Sequence, residues 1–518
     1  MVLRVLQAVA AVAVLCRFPV TLTRAGDRSE GTPGQSYVAA VYEHRVILNP
    51  EPHVPLSRAA ALKHMMSNLD VYEEQSARAA EQGAQIIVFP EDGLQGFNFS
   101  RLSISAYLET IPDPQSEDWN PCTQTDRHTH TEVLQRLSCM ARRHRLYLVA
   151  NMADLQPCRQ TSHPTCPPDG RWQFNTDVVF RWDGSLAARY HKHNLYFEKA
   201  FDAPPTLEVV TFDTPFAGRF GVFTCFDILF HDPTVRLLEQ GVRQMVYPTA
   251  WMNQLPLLSA VQFQRAFSLG TNTTLLAANI RADSLGMTGS GIFTPGTAIY
   301  HHARAGQPEE GRLLVLRIPV LDTAWLGTET RAKGQAGGEG EESQHCREDS
   351  LSTSPPAFSP SSPFPFTSSM MYDPFSFLLL SSSEGQLTVC DGRFCCYLQY
   401  RRSPQGGNTE LYALGAFSGT HTVNGRYNVQ VCALVRCLGS EVSSCGQEVE
   451  EAESRVDFLL EGKFGTRHVY PSLLGSGMVL EQPDQVKTTA DGRVAMEHSG
   501  MTVGLVTACL YGRVYDQD

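Results

Sequence analysis

Between Tyr37 and Ile318 the chain alternates short, Val/Ile-rich runs that lack polar alternation with stretches that carry helix signals. Tyr37–Val41, Gln85–Pro90, Leu146–Ala150, Leu207–Phe212, Phe220–Thr224, Gln244–Tyr247, Thr274–Ala278 and Leu313–Ile318 read as strands. Thr176–Ala188 reads as a hairpin turning at Asp183-Gly184. Helices are expected over 58–82, capped by Ser57 and ended by Gly83, and over 131–143, 232–241 and 257–269, the last started by Pro256. A strand apolar at every position has both faces covered. The fold class is therefore α/β, a sheet structure layered between helices.

The 518 residues exceed what one compact core accommodates. Past residue 325 the composition turns to Gly, Glu, Ser and Pro, as in Gly337-Gly338-Glu339-Gly340 and Ser354-Pro355-Pro356, and such a segment cannot bury a core. Beyond it Gln386–Tyr400, Leu411–Phe417, Tyr427–Val435, Arg455–Leu460 and Thr502–Tyr515 read as strands between Gly-rich turns. The expected organisation is a signal peptide over 1–25, an α/β domain over 37–325, a low-complexity linker over 326–369, and a β-rich domain over 370–518.

The leader reading rests on Arg4, the apolar run Val5–Cys16 and the small-residue stretch Thr23-Arg24-Ala25. It implies export. Of the fourteen cysteines, Cys16 falls in the leader and twelve of the others read as a disulfide framework: Cys122, Cys139, Cys158, Cys166, Cys390, Cys395, Cys396, Cys432, Cys437 and Cys445, with Cys346 and Cys509 left over. Cys158 and Cys166 enclose a short loop and are expected partners. The spacings do not suit zinc, and no metal or cofactor is expected. A net charge of −12 excludes a nucleic-acid partner. The chain ends without a hydrophobic tail, so no membrane anchor is expected, and it reads as an extracellular monomer. Asn98-Phe99-Ser100 and Asn272-Thr273-Thr274 are glycosylation sequons; Asn98 follows a Gly-rich turn, whereas Asn272 runs into an apolar strand whose burial would block it.

The remaining cysteine is Cys225, in Gly221-Val222-Phe223-Thr224-Cys225-Phe226-Asp227. It sits where a strand breaks into a helix, near backbone N–H groups suited to an oxyanion. Alone it would read as a small core residue. Two other strand ends change that reading. Glu91 follows Ile86-Ile87-Val88-Phe89-Pro90, and Lys192 follows Ala187-Ala188-Arg189-Tyr190-His191. A cysteine nucleophile needs a base for its proton and a cation for its developing charge. Glu91 would be the base, and Lys192 with the N–H of Phe226 would hold the oxyanion.

Phe89-Pro90-Glu91-Asp92-Gly93, the Lys192 segment and Phe223-Thr224-Cys225-Phe226-Asp227 resemble the Glu, Lys and Cys motifs of the nitrilase superfamily. Tyr247–Asn253, Gly286–Gly291 and Leu411–Gly415 are similar to its biotinidase–vanin branch. Lys192–Glu198 and Thr211–Gly218 lie nearer the biotin-amide hydrolases of that branch than the vanins. The resemblance implies an α-β-β-α sandwich and a thiol amidase that hydrolyses biocytin and biotinyl-peptides through a cysteine thioester, with biotinyl transfer to amines as a side reaction. It covers nearly everything from Tyr37 onward, but the 326–369 segment, Cys346 and Cys509 depart from the pattern. Within it Glu198 would be an auxiliary carboxylate beside Lys192, or a surface residue. Trp251 would wall the acyl site, or serve the core. Pantetheine hydrolysis and a non-catalytic biotin-binding protein are the competing readings. A Cys–His protease is disfavoured because no histidine is better placed than Lys192; strand alternation points His191 and His193 away from it.

Overall fold

The computed structural model describes residues 35–304, 306–321, 364–403 and 410–518. The leader over 1–25, Cys346 and the 326–363 part of the expected linker lie outside them. Among the described residues no helix is long and apolar enough to cross a membrane.

The N-terminal strands are β1 (Ser36–Arg45), β2 (Ile86–Val88), β3 (Tyr147–Pro157), β4 (Arg171–Phe180), β5 (Leu186–His191), β6 (Val210–Thr214), β7 (Gly218–Val222), β8 (Gln244–Thr249), β9 (Thr274–Arg281), β10 (Ser290–Phe293), β11 (Ala298–His301) and β12 (Arg312–Pro319). Their main path runs β5-β4-β3-β2-β1-β9-β8-β7-β6. β1 and β9 meet only at His44–Ile280 and Arg45–Arg281, so the path folds there into two half-sheets. The halves face each other: the Tyr37 ring of β1 packs on Phe216 and Phe220, and its hydroxyl donates to Gln244 on β8 at 2.8 Å.

Helices cover the outer faces. In α1 (Arg58–Glu81) the buried Ala61, Met65, Leu69, Tyr72 and Ala79 recur at helical spacing along one side. Ser57 accepts from the Ala60 N–H at 3.3 Å and starts it; Gly83, at φ 80°, ends it. α1 and α2 (Glu132–His144) share a core with Val38, Ala40 and Tyr42, whereas Tyr37, Ala39 and Val41 face the other half-sheet. The unbroken apolar run of β1 thus reports two buried faces.

The expected 232–241 helix is present over most of its length: His231–Val235 is a wide π-type helical turn that runs directly into α3 (Arg236–Glu239). Asp232 is extended (φ −101°, ψ 125°) because Pro233 disfavours helical geometry in the residue before it. α4 (Ala260–Thr271) starts after Ser259, not at Pro256, whose carbonyl accepts from the Gln262 side chain at 2.9 Å. α4 packs on β9 and β10 on one side and meets the C-terminal strand Val469–Gly475 on the other. Gly270 permits the approach, since a Cβ there would stand 2.7 Å from the Val469 carbonyl.

The C-terminal strands form a seven-stranded and a five-stranded sheet, packed face to face. The strand Phe366–Met370 begins inside the stretch expected as linker and pairs with Asp373–Leu379. The expected single strand 386–400 is a hairpin, Glu384–Asp391 with Phe394–Arg402, turning at Gly392 (φ 58°); the Asp391-Gly392 pair is a turn signal set inside that run. Disulfides link Cys122–Cys139, Cys158–Cys166, Cys390–Cys395, Cys396–Cys432 and Cys437–Cys445. Cys509, expected in the framework, is instead free and buried in the strand Leu505–Arg513.

Candidate active site

Glu91 lies just past β2, Lys192 just past β5 and Cys225 just past β7. Ligand-facing groups gather at the carboxyl ends of strands in layered α/β sheets. The structure brings the three together. The Lys192 ammonium donates to Glu91 Oε1 at 2.6 Å and to Glu198 Oε1. All three predicted residues are buried: Glu91 at 2%, Lys192 at 1% and Cys225 at 6% exposure. Glu198 is therefore a partner of Lys192 and not a surface residue.

Asn175 on β4 was not legible in the sequence as part of the site. Its side-chain amide donates to Glu91 Oε1 and Glu198 Oε2, both at 2.8 Å, bridging the two carboxylates. The Ala250 N–H donates to Glu91 Oε2 at 2.9 Å. Glu91 is thus held by an ammonium, an amide and a backbone N–H, which fixes its orientation. β4 also carries Gln173, Thr176 and Asp177, so nothing in the sequence singled out Asn175.

Cys225 opens a tight helical turn, Cys225–Leu229, with φ +45°, a left-handed conformation strained for a residue with a Cβ. The turn is pinned on both sides. The Thr224 hydroxyl donates to Asp177 at 2.7 Å, the Thr224 N–H donates to Asp227 at 3.0 Å, and the Tyr247 hydroxyl donates to the Cys225 carbonyl at 2.8 Å. Tyr190 donates to Asp227 at 2.7 Å.

Burial pushes the Cys225 thiol well above its ordinary range and Glu91 adds to this; Lys192, Thr249 and the Ala250 N–H pull the other way. The resting sulfur is a neutral thiol. Burial alone would lower the Lys192 pKa, but Glu198 and Glu91 hold it well above the lysine range, so the group is an ammonium. Burial raises Glu198, Asp177 and Asp227, partly countered at Glu198 by Lys192. One permanent cation sits among carboxyls beside a thiol, which suits proton transfer and stabilisation of negative charge on a substrate oxygen.

Trp251 adjoins Ala250; its indole N–H donates to the Leu258 carbonyl at 2.9 Å and it is 9% exposed. The Phe226 ring packs between Tyr196 and Phe230, with centroids 5.0 and 4.9 Å away. His191 turns away from the thiol and bridges Asp154 and Glu208 at 2.8 and 2.9 Å. Asn98 and Asn272 are both exposed. The expected burial at Asn272 is not found, because it takes the left-handed cap position ending α4 (φ 52°) and only Thr273 and Thr274 turn inward.

Residues 57–283 match the carbon-nitrogen hydrolase family model, and residues 364–518 match the vanin C-terminal domain model. A Takifugu rubripes protein named biotinidase is 68% identical over 93% of this chain and 95% of its own. A Bos taurus pantetheinase is 43% identical over 93% of this chain and 90% of its own. The chain belongs to the carbon–nitrogen hydrolases.

As a carbon–nitrogen hydrolase of the biotinidase–vanin branch it acts on amides. Its fold also resembles an amidase from Nesterenkonia sp. (TM-score 0.36, 23% identity, 56% of this chain and 94% of that one). The two matching regions cover the hydrolase sandwich and the disulfide-linked β-sheets. The latter carry three of the disulfides, one of which, Cys396–Cys432, joins the two C-terminal sheets.

Proposed function

We propose that this enzyme releases biotin from biocytin and biotinyl-peptides through an acyl-enzyme on Cys225. The convergence of Cys225, Lys192 and Glu91 carries the reading, and the relatives named biotinidase supply the acyl group. Glu91 takes the thiol proton as the sulfur attacks the amide carbonyl. Negative charge builds on the carbonyl oxygen and is met by the Lys192 ammonium and the Phe226 N–H. The C–N bond then breaks, and Glu91 returns its proton to the departing lysine amine. A water that gives its proton to Glu91 attacks the thioester, and collapse of that adduct frees biotin and restores the thiol. An amine in place of water would receive the biotinyl group.

Glu198 and Asn175 keep Lys192 and Glu91 in register during both halves. Trp251 would wall the acyl site, a position supported by its adjacency to Ala250. The disulfides support an oxidising, extracellular setting, with Asn98 and Asn272 as glycan acceptors and the enzyme acting as a monomer. A leader over 1–25 and a hydrolase domain over 37–325 belong to the same proposal, with the C-terminal domain beginning at the Phe366–Met370 strand and not at residue 370.

Mass spectrometry of protein mixed with biocytin and acid-quenched tests this. A biotinyl adduct on the Cys225 peptide is expected; turnover without an adduct, or an adduct elsewhere, overturns the assignment. Pantetheine hydrolysis is the second reading, favoured by the 43%-identical pantetheinase. Faster turnover of pantetheine than of biocytin by the same preparation would establish it.

A further inference from the structure

The surroundings of Cys225 include the C-terminal sheets. Phe226, one residue past the cysteine, lies against Gly425, where a Cβ would stand 2.7 Å from its ring. Phe230 reaches Tyr427 with centroids 6.1 Å apart, and Tyr427 stacks at 4.8 Å on His421. Nδ1 of the buried His421 pairs at 2.7 Å with Asp373 Oδ2. A continuous aromatic wall therefore runs from the nucleophile turn into the C-terminal strands.

Asp373 begins the second strand of the Phe366–Met370/Asp373–Leu379 hairpin. The turn between them consists of Met371 (φ 54°) and Tyr372 (φ 69°). Two successive left-handed residues make a tight hairpin turn normally given to Asn and Gly. Backbone of that kind persists where its surroundings impose it and is concentrated at ligand clamps. Asp373, the residue after the turn, is anchored by its hydrogen bond to His421. The Tyr372 phenol ring is 63% exposed at the tip. The Tyr196 hydroxyl lies within electrostatic reach of both the Cys225 thiol and the Tyr372 hydroxyl. Tyr196 also packs on Phe226 and on Phe197, which is itself 68% exposed and left-handed (φ 54°).

We propose that the Met371–Tyr372 turn, with Tyr196, forms the subsite for the amine half of the substrate. The inference rests on the biotin-amide reading above. The acyl half is a fixed, finite group that an enclosed site can take, and Cys225 and Trp251 are nearly enclosed. The amine half of a biotinyl-peptide continues as polypeptide in two directions, so it must lie in the open. Tyr372 is an exposed aromatic on the same side as Tyr196, and the residue after it, Asp373, is anchored by a buried hydrogen bond to His421. A flat phenol face suits lysyl methylenes and peptide planes without demanding a sequence. The C-terminal sheets would then set which amines leave well and would not touch the bond-breaking groups.

The test compares two substrates on the full-length protein: a peptide carrying biotin on an internal lysine, and the methylamide of biotin, which lacks an amine-side chain. Tyr372→Ala is expected to lower the ratio of peptide kcat/KM to methylamide kcat/KM about fivefold, through the peptide KM. Tyr372→Phe keeps the ring and is expected to restore the ratio. His421→Asn frees the turn and is expected to move the ratio as Tyr372→Ala does. An unchanged ratio in Tyr372→Ala, or a Phe variant no better than the Ala variant, overturns the subsite. Failure of the unsubstituted enzyme to cleave either biotin amide would instead overturn the substrate reading on which it rests.

Discussion

Two buried thiols, Cys225 in the hydrolase sandwich and Cys509 in the seven-stranded sheet, have no disulfide partner. They are 6% and 1% exposed, and burial raises the pKa of both. At Cys509 burial is the whole cause. At Cys225 a carboxylate pushes the same way, while an ammonium, a hydroxyl and a backbone N–H oppose it. Cys509 lies in the middle of a regular strand, opposite Ala433 and Ser472. Cys225 lies at a left-handed break with its backbone pinned by Tyr247. Enclosure therefore does not make a nucleophile. What distinguishes Cys225 is a carboxylate, Glu91, and an ammonium, Lys192, within electrostatic reach of its sulfur, the base and the cation of the proposed mechanism.

The sharpest way to break this comparison is to remove each sulfur. Cys225→Ala is expected to lower kcat at least about 10⁴-fold with the urea midpoint nearly unchanged. Retained turnover of biocytin would place the nucleophile elsewhere. Lys192→Met comes next. It removes the buried cation and leaves Glu91 and Glu198 facing each other, and kcat is expected to fall about 10³-fold. A variant with near-normal kcat would show that the oxyanion is held by backbone alone.

Alkylation sharpens the contrast without mutating either thiol. Because the Cys225 pKa is raised, its thiolate appears on the alkaline side, so iodoacetamide labelling should accelerate as pH rises through the alkaline range. Lys192→Met loses a lowering influence, so at any one pH its labelling should be slower. Peptide mapping should find Cys509 unlabelled until urea unfolds the chain. Labelling of Cys509 in the native protein would mean its strand opens. The smallest effect is Cys509→Ser. It sets a hydroxyl among apolar neighbours and is expected to cost about 1–3 kcal/mol in urea unfolding, with kcat unchanged.

Much of the hydrolase half was legible because its strands are covered on both faces. Continuous runs such as Gln85–Pro90 and Leu146–Ala150 therefore mark strands directly, and the polar residue ending each run stands out. The C-terminal half was less legible. The strands of its five-stranded sheet alternate buried with less buried positions, as Phe394–Arg402 does, and a short one such as Gln485–Thr488, exposed throughout, carries little signal.

The order of residues by itself determined which chemical groups end which strands: a carboxylate at 91, an ammonium at 192 and a thiol at 225. Those assignments depend on local periodicity and on where apolar runs stop. Only the tertiary structure decided that Asn175 bridges Glu91 and Glu198, that Cys509 stays unpaired, and that Gly425 of the C-terminal strands packs against Phe226 beside Cys225. These depend on which strands lie side by side and on which sheet packs against α4. Such pairings are set by burial summed over the whole core, and no window of sequence contains that sum.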